Sequence, residues 1–256
     1  MSQLLEGRTA LILGIANKWS LAYAIAQAYR REGAELILTY QGDRQKQTVE
    51  ELAAELGASR TLSCDVTQDA DLQRLTEALR AEGANLDTAV HSIAFANRED
   101  LGRPYVDTSR SGYLLAQEVS AYSLVAVARA VAPLMTKGGS LLTLSYLGAV
   151  RVIQNYNVMG VAKAALEASV RYLASDLGPC NIRVNAISAG PVKTASARGI
   201  KDFNTVLNVV AERAPLRRNV EPAEVGDAAV LLASHLGRGI TGNILYVDSG
   251  FQIMGF

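Results

Sequence analysis

Short apolar runs alternate with longer amphipathic stretches along the whole of this chain, and that alternation leaves few folds open to it. Arg8–Gly14, Glu35–Tyr40, Arg60–Cys64, Leu86–Ser92, Ser140–Ser145, Asn181–Ala186 and Ile244–Val247 read as strands. Several are apolar at consecutive positions (Leu11-Ile12-Leu13, Leu36-Ile37-Leu38), as expected where both faces of a parallel sheet are covered. Leu21–Arg31, Gln45–Leu56, Asp69–Glu82, Leu114–Met135, Asn157–Leu177 and Glu221–Ala233 carry helical periodicity. Gly33, Gly57, Gly83 and Gly178 lie just past helix ends, where a left-handed residue is wanted. Strand and helix in turn throughout imply a doubly wound sheet with right-handed crossovers.

About half of the 256 residues are hydrophobic, which suits one α/β domain better than two small ones. The expectation is a single domain over residues 1–256: a Rossmann-type parallel sheet of about seven strands with helices on both faces. The 25 basic residues balance the 25 acidic ones and the signs are interspersed, so no field draws in nucleic acid. Cys64, Cys180, His91 and His235 show no metal or disulfide spacing, and a reducing, cytoplasmic setting is the simpler inference. Met1–Gly7 lacks a basic region followed by an apolar stretch. The most apolar segment, Leu124–Met135, carries Arg129 and reads as too short to span a bilayer, so no membrane insertion is expected.

In such a sheet, ligands sit beyond the carboxyl ends of the strands at the topological switch point. The first strand ends in Gly14-Ile15-Ala16-Asn17-Lys18-Trp19-Ser20-Leu21-Ala22. A turn followed at once by a helix N-terminus offers backbone N–H groups to a phosphate, Gly14 allows the tight turn, and Ser20 can donate a hydroxyl. The second strand ends at Gln41, a neutral residue that can hydrogen-bond a ribose hydroxyl, with Arg44 either solvated or reaching a 2′-phosphate. Asp65, after the third strand, accepts from an adenine amino group or merely starts the next helix. His91-Ser92-Ile93-Ala94-Phe95-Ala96 follows the fourth strand, and its small residues would let a nicotinamide lie flat. His91 itself reads as a general base or as an ordinary satisfied histidine.

The fifth strand brings Ser145-Tyr146, then Tyr156 and Lys163. The last two stand seven residues apart, nearly two helical turns, so both emerge on one helix face about 10 Å apart along the axis. A tyrosine hydroxyl is a poor acid, with a pKa near 10. A nearby ammonium is expected to lower that value and make it a good donor to developing negative charge. Alone, the pattern is equally that of an amphipathic helix with an exposed lysine and a packed tyrosine.

Arg183-Val184-Asn185-Ala186-Ile187-Ser188-Ala189-Gly190-Pro191 and the terminal Val247-Asp248-Ser249-Gly250 resemble the short-chain dehydrogenase/reductase superfamily. The chain departs from its ordinary members in a longer tyrosine–lysine spacing, a longer first loop, and Tyr146 in place of the usual serine. Those departures, with Ser145-Tyr146-Leu147-Gly148-Ala149, Asn155-Tyr156-Asn157-Val158-Met159-Gly160 and Gly199-Ile200-Lys201-Asp202-Phe203, are similar to the divergent enoyl-acyl-carrier-protein reductases of type II fatty acid synthesis. The resemblance implies NADH as cofactor and an enoyl thioester on acyl carrier protein as substrate. It implies that Gly14, Ser20, Leu21, Gln41, Asp65, Val66, Ile93 and Lys163 contact the dinucleotide, together with Val192, Lys193, Thr194, Ala195 and Ser196. Tyr146 and Tyr156, with Lys163, would be catalytic, and Ala96, Met159, Ile200 and Phe203 would lie at the substrate. It also implies a homotetramer, for which Gly160, Ala164 and Ala168 form a small-residue stripe beside the apolar helix Leu124–Met135.

Residues 191–215 lack a clear assignment and mix small with apolar side chains, which suits a lid over an acyl chain or a surface helix packed on the core. Two rival functions remain: a carbonyl (3-ketoacyl) reductase of the same superfamily, and a non-catalytic dinucleotide-binding protein. The first is disfavoured by Gly160, which stands where such a reductase carries its lysine.

Overall fold

The computed structural model describes residues 3–194 and 203–255. Seven parallel strands form one sheet: β1 (Thr9–Leu13), β2 (Glu35–Tyr40), β3 (Arg60–Ser63), β4 (Thr88–His91), β5 (Gly139–Ser145), β6 (Ile182–Ala189) and β7 (Ile244–Val247). Their spatial order is β3-β2-β1-β4-β5-β6-β7, so the winding reverses between β1 and β4. The consecutive apolar residues of β1 are divided between the two faces. Ala10 and Ile12 enter one core with α1 (Leu21–Arg31), α2 (Asp43–Leu56) and α9 (Pro222–Ala233). Leu11 and Leu13 enter the other, with α3 (Asp69–Ala81), α6 (Ser123–Val131) and α7 (Asn157–Leu177). A period of two applied to an unbroken apolar run thus fills both layers.

The other α-helices among the described residues are α4 (Arg98–Gly102), α5 (Arg110–Gln117) and α8 (Phe203–Arg213). The segment without sequence assignment therefore contains a helix, and the helix expected from Leu114 begins earlier, at Arg110, where the Ser109 hydroxyl accepts from Gly112 N–H. From Arg110 the helix runs to Leu134 through a π turn at Glu118–Tyr122. These 25 residues are long and apolar enough to cross a membrane, contrary to the length read from sequence. Half of their apolar window is buried within the protein, against α3, α7 and β4, so this is a core helix.

Two further expectations are corrected. Gly33, Gly57 and Gly83 have positive φ, whereas Gly178 does not; a further 3₁₀ turn delays the left-handed residue to Asn181 (φ 59°). β6 runs to Ala189 rather than Ala186 because pairing with β7 holds Ala186–Ala189 extended.

Candidate active site

The carboxyl ends of β1, β4, β5 and β6 open into one cavity of about 540 Å³, at the reversal of strand order. At its first edge Gly14 has φ 93°, and a Cβ there would lie 2.1 Å from the Ser92 carbonyl oxygen. Only a glycine lets the loops after β1 and β4 approach so closely. Ser20 caps α1: its hydroxyl donates to Asn17 O (2.7 Å) and accepts from Tyr23 N–H (3.2 Å). The hydroxyl expected to reach a phosphate is therefore occupied in building the cap, and the positive end of α1, with Leu21 in the cavity wall, is what faces a ligand. Among the described lining residues there is no carboxylate, and the cations are Arg98 and Lys163. That donor set fits the phosphates of a dinucleotide.

Gly14, Ser20, Leu21, Ile93, Val192 and Thr194, proposed for the dinucleotide, line this cavity, as do Ala96, Met159 and Phe203, proposed for the substrate. Gln41, Asp65, Val66 and Lys193 do not line it. Gln41 and Asp65 lie together at the ends of β2 and β3, joined by a 2.9 Å hydrogen bond from the Gln41 amide. Burial raises the Asp65 pKa, but hydrogen bonds from Gln41 and Thr67 outweigh it and hold the carboxyl below its ordinary value. Arg44, in the first turn of α2, is exposed. Ala195, Ser196 and Ile200 lie outside the described residues, as does part of the expected lid.

Tyr146 leaves β5 in extended backbone, and Tyr156 directly precedes α7. Their rings meet edge to face with centroids 5.0 Å apart. Asn155 (φ 62°) and Asn157 (φ 38°) flank Tyr156 in the left-handed region, which asparagine tolerates better than most residues. The Asn157 amide donates to Leu101 O (2.8 Å), tying α4 to the start of α7. Gly148 makes room for the Tyr156 ring, since a Cβ there would lie 2.4 Å from Cδ1. The expected lowering of the tyrosine pKa by Lys163 is not what the structure shows. Burial pushes Tyr146 up to about 12 and Tyr156 higher still. Desolvation raises both, with the neighbouring Tyr146 adding to it at Tyr156, and Lys163 has no part in either shift, so both hydroxyls stay protonated as neutral donors.

Lys163 lines the same cavity, nearly two turns along α7, with Nζ 2.7 Å from Leu144 O. It is 6% exposed, which rules out the exposed-lysine reading. Burial lowers its pKa to about 8. His91 is fully buried between Thr143 Oγ1 (2.9 Å) and Ser123 Oγ (2.7 Å), and burial depresses it to about 3. It is a satisfied histidine and no general base. Sequence reasoning did not single out Arg98, Leu101 or Leu144 in the wall. For the first two a signal existed: Asn97 ahead of Glu99-Asp100 marks a helix start.

A parallel α/β sheet with a tight glycine turn, a tyrosine pair and a buried lysine at its switch point defines a dinucleotide-dependent reductase. Residues 14–252 match the family model for "Enoyl-(Acyl carrier protein) reductase". The chain is 54% identical over 255 residues to the NADH enoyl-[acyl-carrier-protein] reductase FabI of Bacillus cereus, covering 99% of this chain and 100% of that one. It is 49% identical over 250 residues to the NADPH enzyme FabI of Staphylococcus aureus MRSA252, covering 97% and 98%. The crystal structure of the Bacillus cereus reductase with NADP+ and indole naphthyridinone matches at a TM-score of 0.98 and 54% identity, over 99% of this chain and 100% of that one. The chain belongs to the enoyl-(acyl carrier protein) reductase family.

Proposed function

We infer that this protein is a cytoplasmic enoyl-acyl-carrier-protein reductase of type II fatty acid synthesis. It reduces the double bond of a trans-2-enoyl thioester to the saturated acyl thioester, with NADH as cofactor. The observation that carries this reading is the convergence of Tyr146 and Tyr156 on one wall of the cavity that Lys163 also lines.

Bound NADH supplies the hydride, which goes to Cβ of the substrate. Negative charge then gathers on the thioester oxygen, some atoms from the carbon attacked, and a proton drawn from solvent onto Cα completes the saturated thioester. A tyrosine seven residues before the lysine, one turn further than in a carbonyl reductase, suits that displaced oxygen, since a turn is about 5 Å. Tyr156 donates to it, and Tyr146, edge-on to Tyr156, orients the acyl group and shares the proton network. Both tyrosines are neutral donors in a largely apolar cavity, where such hydrogen bonds act most strongly on developing charge. Lys163 holds the nicotinamide ribose, anchored by Leu144 O. Phe203, at the start of α8, forms part of the cover over the acyl chain.

NADH is favoured over NADPH by the Gln41–Asp65 pair. An ionised Asp65 held 2.9 Å from the Gln41 amide repels a 2′-phosphate and suits a free hydroxyl. Wild-type enzyme should oxidise NADH with a crotonyl thioester but not with an acetoacetyl thioester, with a lower kcat/KM for NADPH. Activity on the acetoacetyl thioester would favour the carbonyl reductase instead, and a higher kcat/KM for NADPH would place Arg44 on the 2′-phosphate.

Lys163→Ala is expected to weaken cofactor binding by about 10- to 100-fold, the cost of one hydrogen bond from a charged donor, while the fold persists. Calorimetry measures this; unchanged affinity would remove Lys163 from the site.

Assembly as a homotetramer is also proposed, with altered contacts from those read in the sequence. Leu124, Val127 and Val131 are buried in the subunit, and Gly160 is filled by Gly148 O, leaving Ala164 as the exposed member of its stripe. On α5, the π turn and α7, the large apolar side chains presented outward are Tyr113, Leu114, Tyr122 and Tyr172. A monomer by light scattering at micromolar concentration would refute the tetramer.

A further inference from the structure

Behind Lys163 lies an acidic group that the reaction described above leaves unused. Glu167 is 5% exposed, one turn further along the same face of α7, so the two Cβ atoms are about 5–6 Å apart. Its carboxylate accepts from the Ser145 hydroxyl at 2.5 Å, while Lys163 Nζ donates to Leu144 O at 2.7 Å. Two adjacent residues at the end of β5 are thereby tied to two residues on one face of α7, and the residue that follows the strand is Tyr146.

A buried ammonium whose hydrogen-bonded partner is a neutral carbonyl is costly to keep charged. The other groups facing the pair do not meet that cost. His91, from β4, is held neutral by its burial. Tyr146 and Tyr156 stay protonated. Tyr246, from β7, is raised by burial and by the charges of Glu167 and Asp248, against Arg151, and is neutral as well. Glu167 is what opposes desolvation at Lys163. Burial holds the Glu167 carboxyl above its ordinary value, and the Ser145 hydroxyl and the charges of Arg171 and Lys163 offset that rise in part by favouring the ionised form.

We propose that Glu167, held in place by the Ser145 hydroxyl, is a positioning residue that keeps Lys163 charged and fixed at the end of β5, where it holds the cofactor. The inference rests on the assignment of Lys163 to the cofactor. Lys163 is charged below its depressed pKa and neutral above it, so its contribution to cofactor binding is present at low pH and lost as pH rises through about 8.

The test is cofactor affinity as a function of pH, by calorimetry, for wild type, Glu167→Gln and Lys163→Ala. Glutamine keeps an oxygen to accept from Ser145 but removes the charge. Its binding curve should match wild type at about pH 6 and fall off about one pH unit earlier, giving about fivefold weaker binding near pH 8. A loss equal at every pH, or a curve superimposable on wild type, would reduce Glu167 to packing and overturn the proposal. Lys163→Ala should abolish the alkaline limb. If it binds as wild type does at every pH, the assignment of Lys163 fails instead, and the two failures are distinct. Should Glu167→Gln not fold, carbon-13 NMR of the wild-type Glu167 carboxyl decides: a protonated group at neutral pH overturns the proposal, and an ionised one upholds it.

Discussion

Replacing both Tyr146 and Tyr156 with phenylalanine should lower kcat/KM for an enoyl thioester by about a thousandfold or more, with cofactor affinity unchanged. One donor to a developing oxyanion is worth about 3 kcal/mol, or a hundredfold to a thousandfold in rate. Both residues line the cavity, and their rings meet edge to face with centroids 5.0 Å apart. Each can then replace part of what the other loses, and the single mutants should fall short of the double by more than simple addition allows. Phenylalanine keeps the packing against Gly148, so the loss reports the hydroxyls rather than a cavity. Because burial holds both hydroxyls protonated, neither should add a limb to the pH–rate profile below that of Lys163. Wild-type kcat/KM in the double mutant would leave the oxyanion to another donor, of which the ribose hydroxyl fixed by Lys163 is the next candidate.

Gly14→Ala should be the most damaging single-methyl change in the loop after β1. Its φ of 93° costs an L-residue strain, and the added Cβ would stand 2.1 Å from a backbone oxygen that no rotamer change can move. Separating the loops after β1 and β4 should cost about 3 kcal/mol or more of stability and about a hundredfold or more in cofactor affinity. Gly83→Ala is the control: it has φ 67° but open space around it, so it should cost only about 1 kcal/mol and leave binding intact. Denaturant unfolding and calorimetry on both variants measure the difference. Equal losses in the two would show that the close approach at Gly14 contributes nothing.

Much of this protein could be read from residue order. The unbroken apolar run of β1 announced a sheet covered on both faces, because a period of two divides such a run between two cores. The helical periodicity from Leu21 marked the start of α1, and the seven-residue interval from Tyr156 to Lys163 placed both in one wall, because local helical geometry fixes it. Capping, periodicity and helical spacing are local quantities, and a sequence carries them complete.

What the chain left undecided depended on neighbours distant in sequence. The carboxyl end of β6 follows from its pairing with β7, more than fifty residues further along the chain. The tyrosine pKa values ran opposite to expectation because the ammonium was legible in the sequence and the burial was not. For the same reason Glu167 looked like one acidic residue on a helix. Its role is set by the Ser145 hydroxyl 2.5 Å away, and desolvation, which decides what a charge does, exists only once the chain has packed.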